Sequence, residues 1–424
     1  MKANKLFLIT AALCTIAGAT AQNSPTKVTM WFHSGQGGER DALTTSVKRF
    51  NAANKDVQIE AVQLPEGSYN DQVNAAALAN KLPCVLDFDG PNLYNYAWSG
   101  KIIPLDKYVD AATRKDFLPS ILNQGTYNKK LYSLGQFDSG LAIWGNRALL
   151  EKAGVKVPTT LAGAWTASQL ESALASLKKS GLRYPLDMKF NYGQGEWFTY
   201  GFAPIMQSFG GDLISRDLKK ASGVLNGAAA VRGMTYFQKL VSNYVNAATK
   251  SDADFIEGKA ALSFVGHWAY ADYKKALKND LVLIPMPKFG GRAVTGSGSW
   301  NFGVSSDCAN PDAAAKVLLE MVNTDNVLAM SEASGAVPSR YSAITKSSLF
   351  NSGEALRVYV DQLQKIAKPR PATPAYPAIT KAFAAAVANI AAGGNVKAEL
   401  DKAAKAVDRT SRTIGAIRSS NSAH

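Results

Sequence analysis

Residues 27–38 read Lys-Val-Thr-Met-Trp-Phe-His-Ser-Gly-Gln-Gly-Gly, and their pattern decides the fold class. Val28, Met30 and Phe32 alternate with Thr29, Trp31 and His33, the period of two expected of a strand. A Gly-rich turn follows at Gly35-Gln36-Gly37-Gly38, and then Leu43, Val47 and Phe50 recur at helical spacing, predicting a helix that ends near Asn54. Alternation returns over residues 57–64. An Ala-rich helix is expected over 69–80, Pro83 breaks it, and 84–89 reads as a short apolar strand. The order β-α-β-α-β builds a parallel sheet with helices on its faces, and ligands bind beyond the carboxyl ends of such strands. Two loops lie there: residues 33–39 and Asp89-Gly90-Pro91.

The rest of the chain changes character. Residues 131–144 form a long extended stretch interrupted at Asp138-Ser139-Gly140, and 296–306 form a second one with Gly and Ser at its start. Both suit a chain that crosses twice between lobes. Helical spacing appears over 170–179, 234–244, 313–321 and 378–391, and short strands over 264–268 and 281–287. The length of 424 residues agrees with two large lobes, because a single core stops growing at about 250–300 residues. A composition of 46% hydrophobic and 19% charged residues excludes a disordered chain. The formal charge of +14 is scattered without blocks, so it reads as solvated surface and not as a nucleic-acid footprint.

Lys2 and Lys5, an apolar run over residues 6–19 and Ala19-Thr20-Ala21 together read as a cleavable export signal over 1–21. Cys14 follows Leu13, which is not the small residue a lipoprotein signal carries before its cysteine, so a soluble periplasmic protein is expected. Export bears on the two remaining cysteines, Cys84 and Cys308, since an oxidising compartment leaves them one intramolecular pairing.

Catalytic signatures are missing. There is no Gly-x-Ser-x-Gly elbow, no Walker loop and no His-Glu-x-x-His, and three histidines with three cysteines are too few for dense metal frameworks. Neither a metal nor a cofactor is expected. His33 and His267 read first as ordinary hydrogen-bonding side chains. Carboxylate pairs for glycoside chemistry are spatial and leave no sequence spacing, so an enzyme stays as a minor alternative. What stands out is the placement of aromatic and acidic residues at loop ends: Trp197 beside Glu196, Trp268 after Gly266, Trp300 after a Gly/Ser run, and Asp89 and Asp138 at strand ends. Sugars present apolar C–H faces and rims of hydroxyls, which flat rings and carboxylates complement. Trp98 and Trp165 lack a Gly-rich approach and read as core or lobe surface.

These segments, taken in order, make the chain resemble the extracytoplasmic carbohydrate-binding proteins of ABC transporters, the family 1 solute-binding group that includes maltose-binding protein. The resemblance is carried by residues 28–33 with Glu39-Arg40, Gly67-Ser68-Tyr69-Asn70-Asp71, Asp87-Phe88-Asp89-Gly90-Pro91, Ser208-Phe209-Gly210-Gly211-Asp212, Gly266-His267-Trp268, Gly298-Ser299-Trp300, Gly335-Ala336-Val337-Pro338 and Arg370-Pro371-Ala372-Thr373-Pro374. It implies an α/β, two-lobed periplasmic-binding-protein fold of type II, with the ligand in a cleft between lobes and no catalysis. One lobe would comprise 22–138 and 300–336, the other 139–299 and 337–424. His33, Glu39 and Asp89 would meet sugar from the first lobe, Glu196, Trp197 and Trp268 from the second, with Asp138 and Trp300 at the crossings. Trp144-Gly145-Asn146 and Phe383-Ala384-Ala385-Ala386 depart from the family pattern, and the sequence leaves open whether Trp144, Arg370 and Tyr376 face the ligand.

The implied partners are a neutral mono- or short oligosaccharide and the permease and ATPase subunits of an importer, with the protein itself a monomer that is not membrane-inserted. A phosphorylated polyol is the alternative ligand, because the Gly-rich turn opens a helix whose N–H groups suit an anion. Glu39 and Asp89 argue against it unless Arg40 or Arg370 compensates. Chain direction also bears on the cysteines. Cys84 opens a strand whose far end carries Asp89 to the cleft, and a strand running away from Trp300 would bring Cys308 to the same far side.

Overall fold

The computed structural model describes residues 24–354 and 356–421, so the export signal read at 1–21 lies outside the described residues. The opening alternation becomes the strand Thr26–His33, with Val28, Met30 and Phe32 buried against one core. His33 breaks the alternation and is buried too, at the point where the strand leaves the sheet. Helix Gly37–Ala53 starts where the Gln36 backbone N–H donates to Glu39 Oε2, half of a capping box, and it turns Leu43, Val47 and Phe50 inward. The sheet order is Val57–Leu64, Thr26–His33, Val85–Asp89, Trp300–Val304, Ser133–Gly135. The first three strands are parallel, and Trp300–Val304 enters antiparallel with Trp300 opposite Asp89 and Val304 opposite Val85.

A second sheet has Leu141–Asn146 at its centre, antiparallel to both Leu262–Gly266 and Leu281–Ile284, with Leu186–Asp187 at an edge. Its core is covered by helices Glu196–Ser208, Ala228–Tyr244, Tyr376–Ala391 and Val396–Asn421. Trp144 is buried and donates its indole N–H to the Gly266 carbonyl at 3.1 Å, so this ring faces core. Phe383 and Trp165 are core residues as well, while Trp98 ends helix Leu93–Trp98 half-buried.

The two extended stretches read from sequence are each broken where the chain passes between lobes. The first is split into Ser133–Gly135, Phe137–Asp138 and Leu141–Asn146, and the second into Thr295–Ser297 and Trp300–Val304. Gly298 makes the second break with φ of 102°, and a Cβ there would lie 2.3 Å from Gln124 Nε2, so only glycine fits. Each crossing is stitched to a later one: Phe137–Asp138 pairs antiparallel with Val337–Pro338, and Thr295–Ser297 pairs parallel with Ala367–Pro369. Past residue 337 the chain does not move straight to the second sheet. Arg340 pairs with Asp116 at 2.9 Å, the Ser342 hydroxyl bonds Asp116 at 2.6 Å, and Lys346 reaches Asp325, all on the side of the first sheet. Val337 touches a core of the second sheet, and from Leu349 onward side chains join it continuously.

Cys84 and Cys308 are joined, 224 positions apart, at the end of the first sheet away from Asp89. In the chain-entropy picture a loop of this size stabilises by about 5 kcal/mol at most. Protein expressed from residue 22 is expected to show no reactive thiol in denaturant before reductant is added. Urea titration should then find the reduced form less stable by up to that amount; two titratable thiols in the unreduced protein would contradict the bond.

Candidate functional site

The carboxyl ends of the first sheet gather His33, Asp87, Asp89 and Trp300. The His33 and Trp300 rings stack at 3.6 Å with planes 7° apart, and Tyr69 sets its edge against both. His33 Nδ1 lies 2.5 Å from Asp87 Oδ2, while the Tyr69 hydroxyl donates to the Asp87 carbonyl. A cavity of about 10 Å³, the size of one water, is lined by His33, Glu39, Asp87 and Trp300. Burial works against a charged His33, but Asp87, helped by Glu66 and Glu39, overcomes it and raises the imidazole to about 9. Glu39 is pushed up to about 7, chiefly by burial, with His33 opposing. This side of the site is therefore a protonated imidazole resting on an indole face, with carboxylates behind it.

The second sheet contributes an aromatic wall. Trp268 follows Leu262–Gly266 through the short turn His267–Ala269, and a Cβ at Gly266 would meet its ring at 2.1 Å. Its indole N–H donates to the Tyr192 hydroxyl at 3.2 Å, and Trp197 Nε1 donates to the Met188 carbonyl at 3.2 Å. The two indoles meet edge to face at 5.9 Å. With both N–H groups committed to protein, these rings offer carbon faces and edges. Both Trp268 and Trp300 are half-buried, less open than turn positions in the sequence suggest. Behind the wall Lys189, with φ of 54°, buries its ammonium between Asp187 at 2.9 Å and Asp252 at 2.8 Å, which fixes the segment leading to Tyr192.

Arg370 connects the two sides. It stands directly after Ala367–Pro369, donates to both Asp89 oxygens at 2.6 Å each, and reaches Glu196 Oε1 at 2.6 Å. Its guanidinium lies 4.7 Å over the Tyr200 ring. Glu196 opens its helix, where the helix dipole favours a carboxylate, and it also accepts from Tyr376 and, at 2.7 Å, from Thr380. Burial raises Glu196, and Arg370 opposes that shift.

At the crossings, Asp138 Oδ1 accepts the backbone N–H groups of Ser139 at 2.9 Å and Gly298 at 3.2 Å. His267 bridges the Ser334 carbonyl at 3.2 Å and the Ser139 hydroxyl at 3.1 Å, and burial pushes it down to about 4. Ser139 also bonds the Tyr200 hydroxyl at 2.9 Å.

The residues singled out in the sequence thus converge: His33, Glu39, Asp89 and Trp300 on one side, Glu196, Trp197 and Trp268 on the other, Asp138 between them. Sequence reasoning left open whether Arg370 and Tyr376 face the ligand, quoted Asp87 only within a motif, and gave no role to Thr380 or Tyr200; the link made by Arg370 comes from the structure. The available signal was an arginine held between Pro369 and Pro371 in a segment otherwise without charge up to Lys381. Among the described residues no group of three or more His, Cys, Asp or Glu could hold a metal ion. Nor is any helix there long and apolar enough to cross a membrane.

The profile of the family described as bacterial extracellular solute-binding protein matches residues 45–357. A Rhizobium meliloti (strain 1021) protein described as a probable sugar-binding periplasmic protein is 24% identical over 298 residues, covering 67% of this chain and 69% of that protein. Among solved structures, the GacH receptor of Streptomyces glaucescens, studied unliganded and with acarbose, superposes with a TM-score of 0.77 at 24% identity, over 92% of this chain and 98% of that one. A Thermotoga lettingae ABC-transporter solute-binding protein bound with α-D-tagatose gives 0.80 at 20% identity, over 91% and 100%. The maltose/maltodextrin-binding domain MalE of Bdellovibrio bacteriovorus, bound to maltotriose, gives 0.79 at 20%, again over 91% and 100%. These likenesses establish the two-lobed α/β fold with a cleft between lobes.

The raised His33 has a signed consequence. With a folded value of about 9 against an ordinary 6.5, its stabilisation is full below about pH 6.5 and is lost as pH rises through 9. Glu39 acts in the same direction at lower pH, since its proton is held to about 7 in the fold. Urea unfolding at about pH 6 and about pH 9.5 should show a loss of up to about 3 kcal/mol from His33. His33→Gln should flatten that slope; an unchanged slope would mean that the imidazole is neutral in the fold.

Proposed function

The chain belongs to the bacterial extracellular solute-binding family, and on that premise we propose that it captures a neutral sugar, a mono- or short oligosaccharide, and delivers it to an ABC importer. The observation that carries this reading is the meeting of Asp89 and Trp300 from one sheet with Glu196, Trp197 and Trp268 from the other around a single cleft. Indole faces cover the C–H side of a pyranose, and carboxylate oxygens accept its hydroxyls in charge-assisted bonds. In this reading Asp89, Trp197, Trp268 and Trp300 touch the sugar. His33 covers one face of Trp300 and leaves the other, Glu39 supports His33, Glu196 anchors Arg370, and Asp138 ties the crossings.

In this reading one lobe comprises 24–138 with 300–346 and the other 139–299 with 347–421, and the Arg340–Asp116 pair supports the later boundary. The protein acts in the periplasm as a monomer, without chemistry on its ligand; every hydrogen bond made by Glu196 comes from a donor, which suits an acceptor more than a general acid. A phosphorylated polyol is disfavoured, because the Glu39 carboxylate already occupies the amide end of its helix.

A thermal-shift screen of mono- and disaccharides with glycerol phosphate tests this directly. Stabilisation by glycerol phosphate alone would replace the neutral-sugar reading. With a sugar found, Trp268→Ala and Trp300→Ala should each weaken binding by about 1–3 kcal/mol, the loss of one stacked face. Calorimetry reads this, and equal affinity in both variants would assign the rings to packing.

A further inference from the structure

Arg370 is set between two carboxylates, Asp89 and Glu196, on the cleft floor between the two sheets. Its side chain is 6% exposed, with Asp89 at 9% and Glu196 at 12%. One guanidinium and two carboxylates leave this floor with a single net negative charge, whereas the two carboxylates alone would form a site for a cation. The fork geometry explains why arginine stands here: two donors match the two oxygens of Asp89, and one of those nitrogens still reaches Glu196. Pro369 and Pro371 hold the flanking backbone extended, so the guanidinium is presented by a stiff segment. Tyr200 beneath it and Tyr376 beside it complete the surroundings, while Arg370 Nε is buried without a hydrogen-bond partner among the described residues.

We propose that Arg370 is a specificity-determining residue: it fills, from within the chain, the cation position between Asp89 and Glu196, which draws the two lobes together and turns the cleft toward neutral sugars and against amino sugars. This rests on the sugar-binding reading for the nature of the ligand, and on the geometry alone for the lobe contact. A ligand amine brought to this floor finds its carboxylates already engaged by a permanent cation, so it loses hydration without gaining an ion pair and meets like charge. A neutral sugar meets no such repulsion.

The test compares the wild-type chain with Arg370→Ala. Small-angle scattering of the ligand-free proteins should give a larger radius of gyration for R370A, because two carboxylates from opposite lobes then repel. Calorimetry with glucose and glucosamine should find that the wild type binds glucosamine no tighter than glucose, and that the affinity ratio in R370A moves toward glucosamine by about tenfold or more. Millimolar methylguanidinium should reverse both changes in R370A. An unchanged radius or an unchanged ratio overturns the proposal.

Should R370A fail to fold, the triple variant Asp89→Asn, Glu196→Gln, Arg370→Met removes all three charges together. It is expected to show a larger radius and no discrimination against the amine, and a wild-type radius in it overturns the proposal equally. If neither sugar binds either protein, the sugar reading fails for these probes, and the radius with its methylguanidinium reversal still decides the role of Arg370.

Discussion

The antiparallel pairing of Trp300–Val304 with Val85–Asp89 is the constraint from which the rest of the molecule follows. The late strand arrives from the second lobe, so its first residue lies at the cleft and its last at the far edge of the first lobe. One register therefore sets Trp300 beside Asp89 where ligand is proposed to bind, and brings Cys308 to Cys84 at the opposite end. Phe302 and Val304 join the core beneath Thr26–His33, so burial of apolar surface holds this long-range contact independently of the disulfide. Because the strand sits between Val85–Asp89 and Ser133–Gly135, it also carries the first crossing, and the two passages between lobes become neighbours.

Charge is distributed with the same logic. Both cores are apolar, and His33, Asp87, Asp89, Glu196 and Arg370, with little exposed surface, collect where strands and helices end at the cleft. Burying such groups costs several kcal/mol each, and attraction at best returns that cost. Their presence is thus weak support for stability and stronger support for positioning. The pattern of bonds agrees: Arg370 takes two oxygens of one carboxylate and one of another, and Glu196 takes three donors, geometries that fix side chains in place. Lys189 does the same one layer back, holding the segment that carries Tyr192, on which the Trp268 indole depends.

How much of this could be seen in the sequence depended on whether the signal was local. The period of two over Thr26–His33 and the glycines after it are backbone properties, so the first β-α-β-α-β unit was legible nearly to the residue, and the acidic residues at strand ends followed from it. The link between lobes was not legible, because Arg370 meets partners 281 and 174 positions away and sits in a Pro-rich segment with no period of its own. Trp144 carried no local mark of its direction either; only the neighbouring strands, with Gly266 accepting its indole N–H, decide that it faces core. The long extended runs were legible as passages between lobes but not as separate strands. The interruption at Asp138-Ser139-Gly140 and the glycines of the second run were local signs, while the turn of the chain at Ser139-Gly140 and at Gly298 to leave one sheet for the other depends on distant pairing that a local pattern does not carry.

The crossings and the ion triad are a single polar structure. Since burial keeps His267 neutral, it carries one N–H and one bare ring nitrogen: Nδ1 donates to the Ser334 carbonyl, and Nε2 accepts the Ser139 hydroxyl proton. Ser139 has then spent its proton, so the Tyr200 hydroxyl donates to it, which fixes the Tyr200 ring beneath the Arg370 guanidinium. Asp138 holds the same point from the other side through the amides of Ser139 and Gly298, one from each passage. A rotation of the lobes about these passages would turn the platform on which Arg370 rests, and a change in what Arg370 holds would be felt at Ser139. Bending at the crossings and engagement at the cleft floor are for that reason coupled through hydrogen bonds of defined direction.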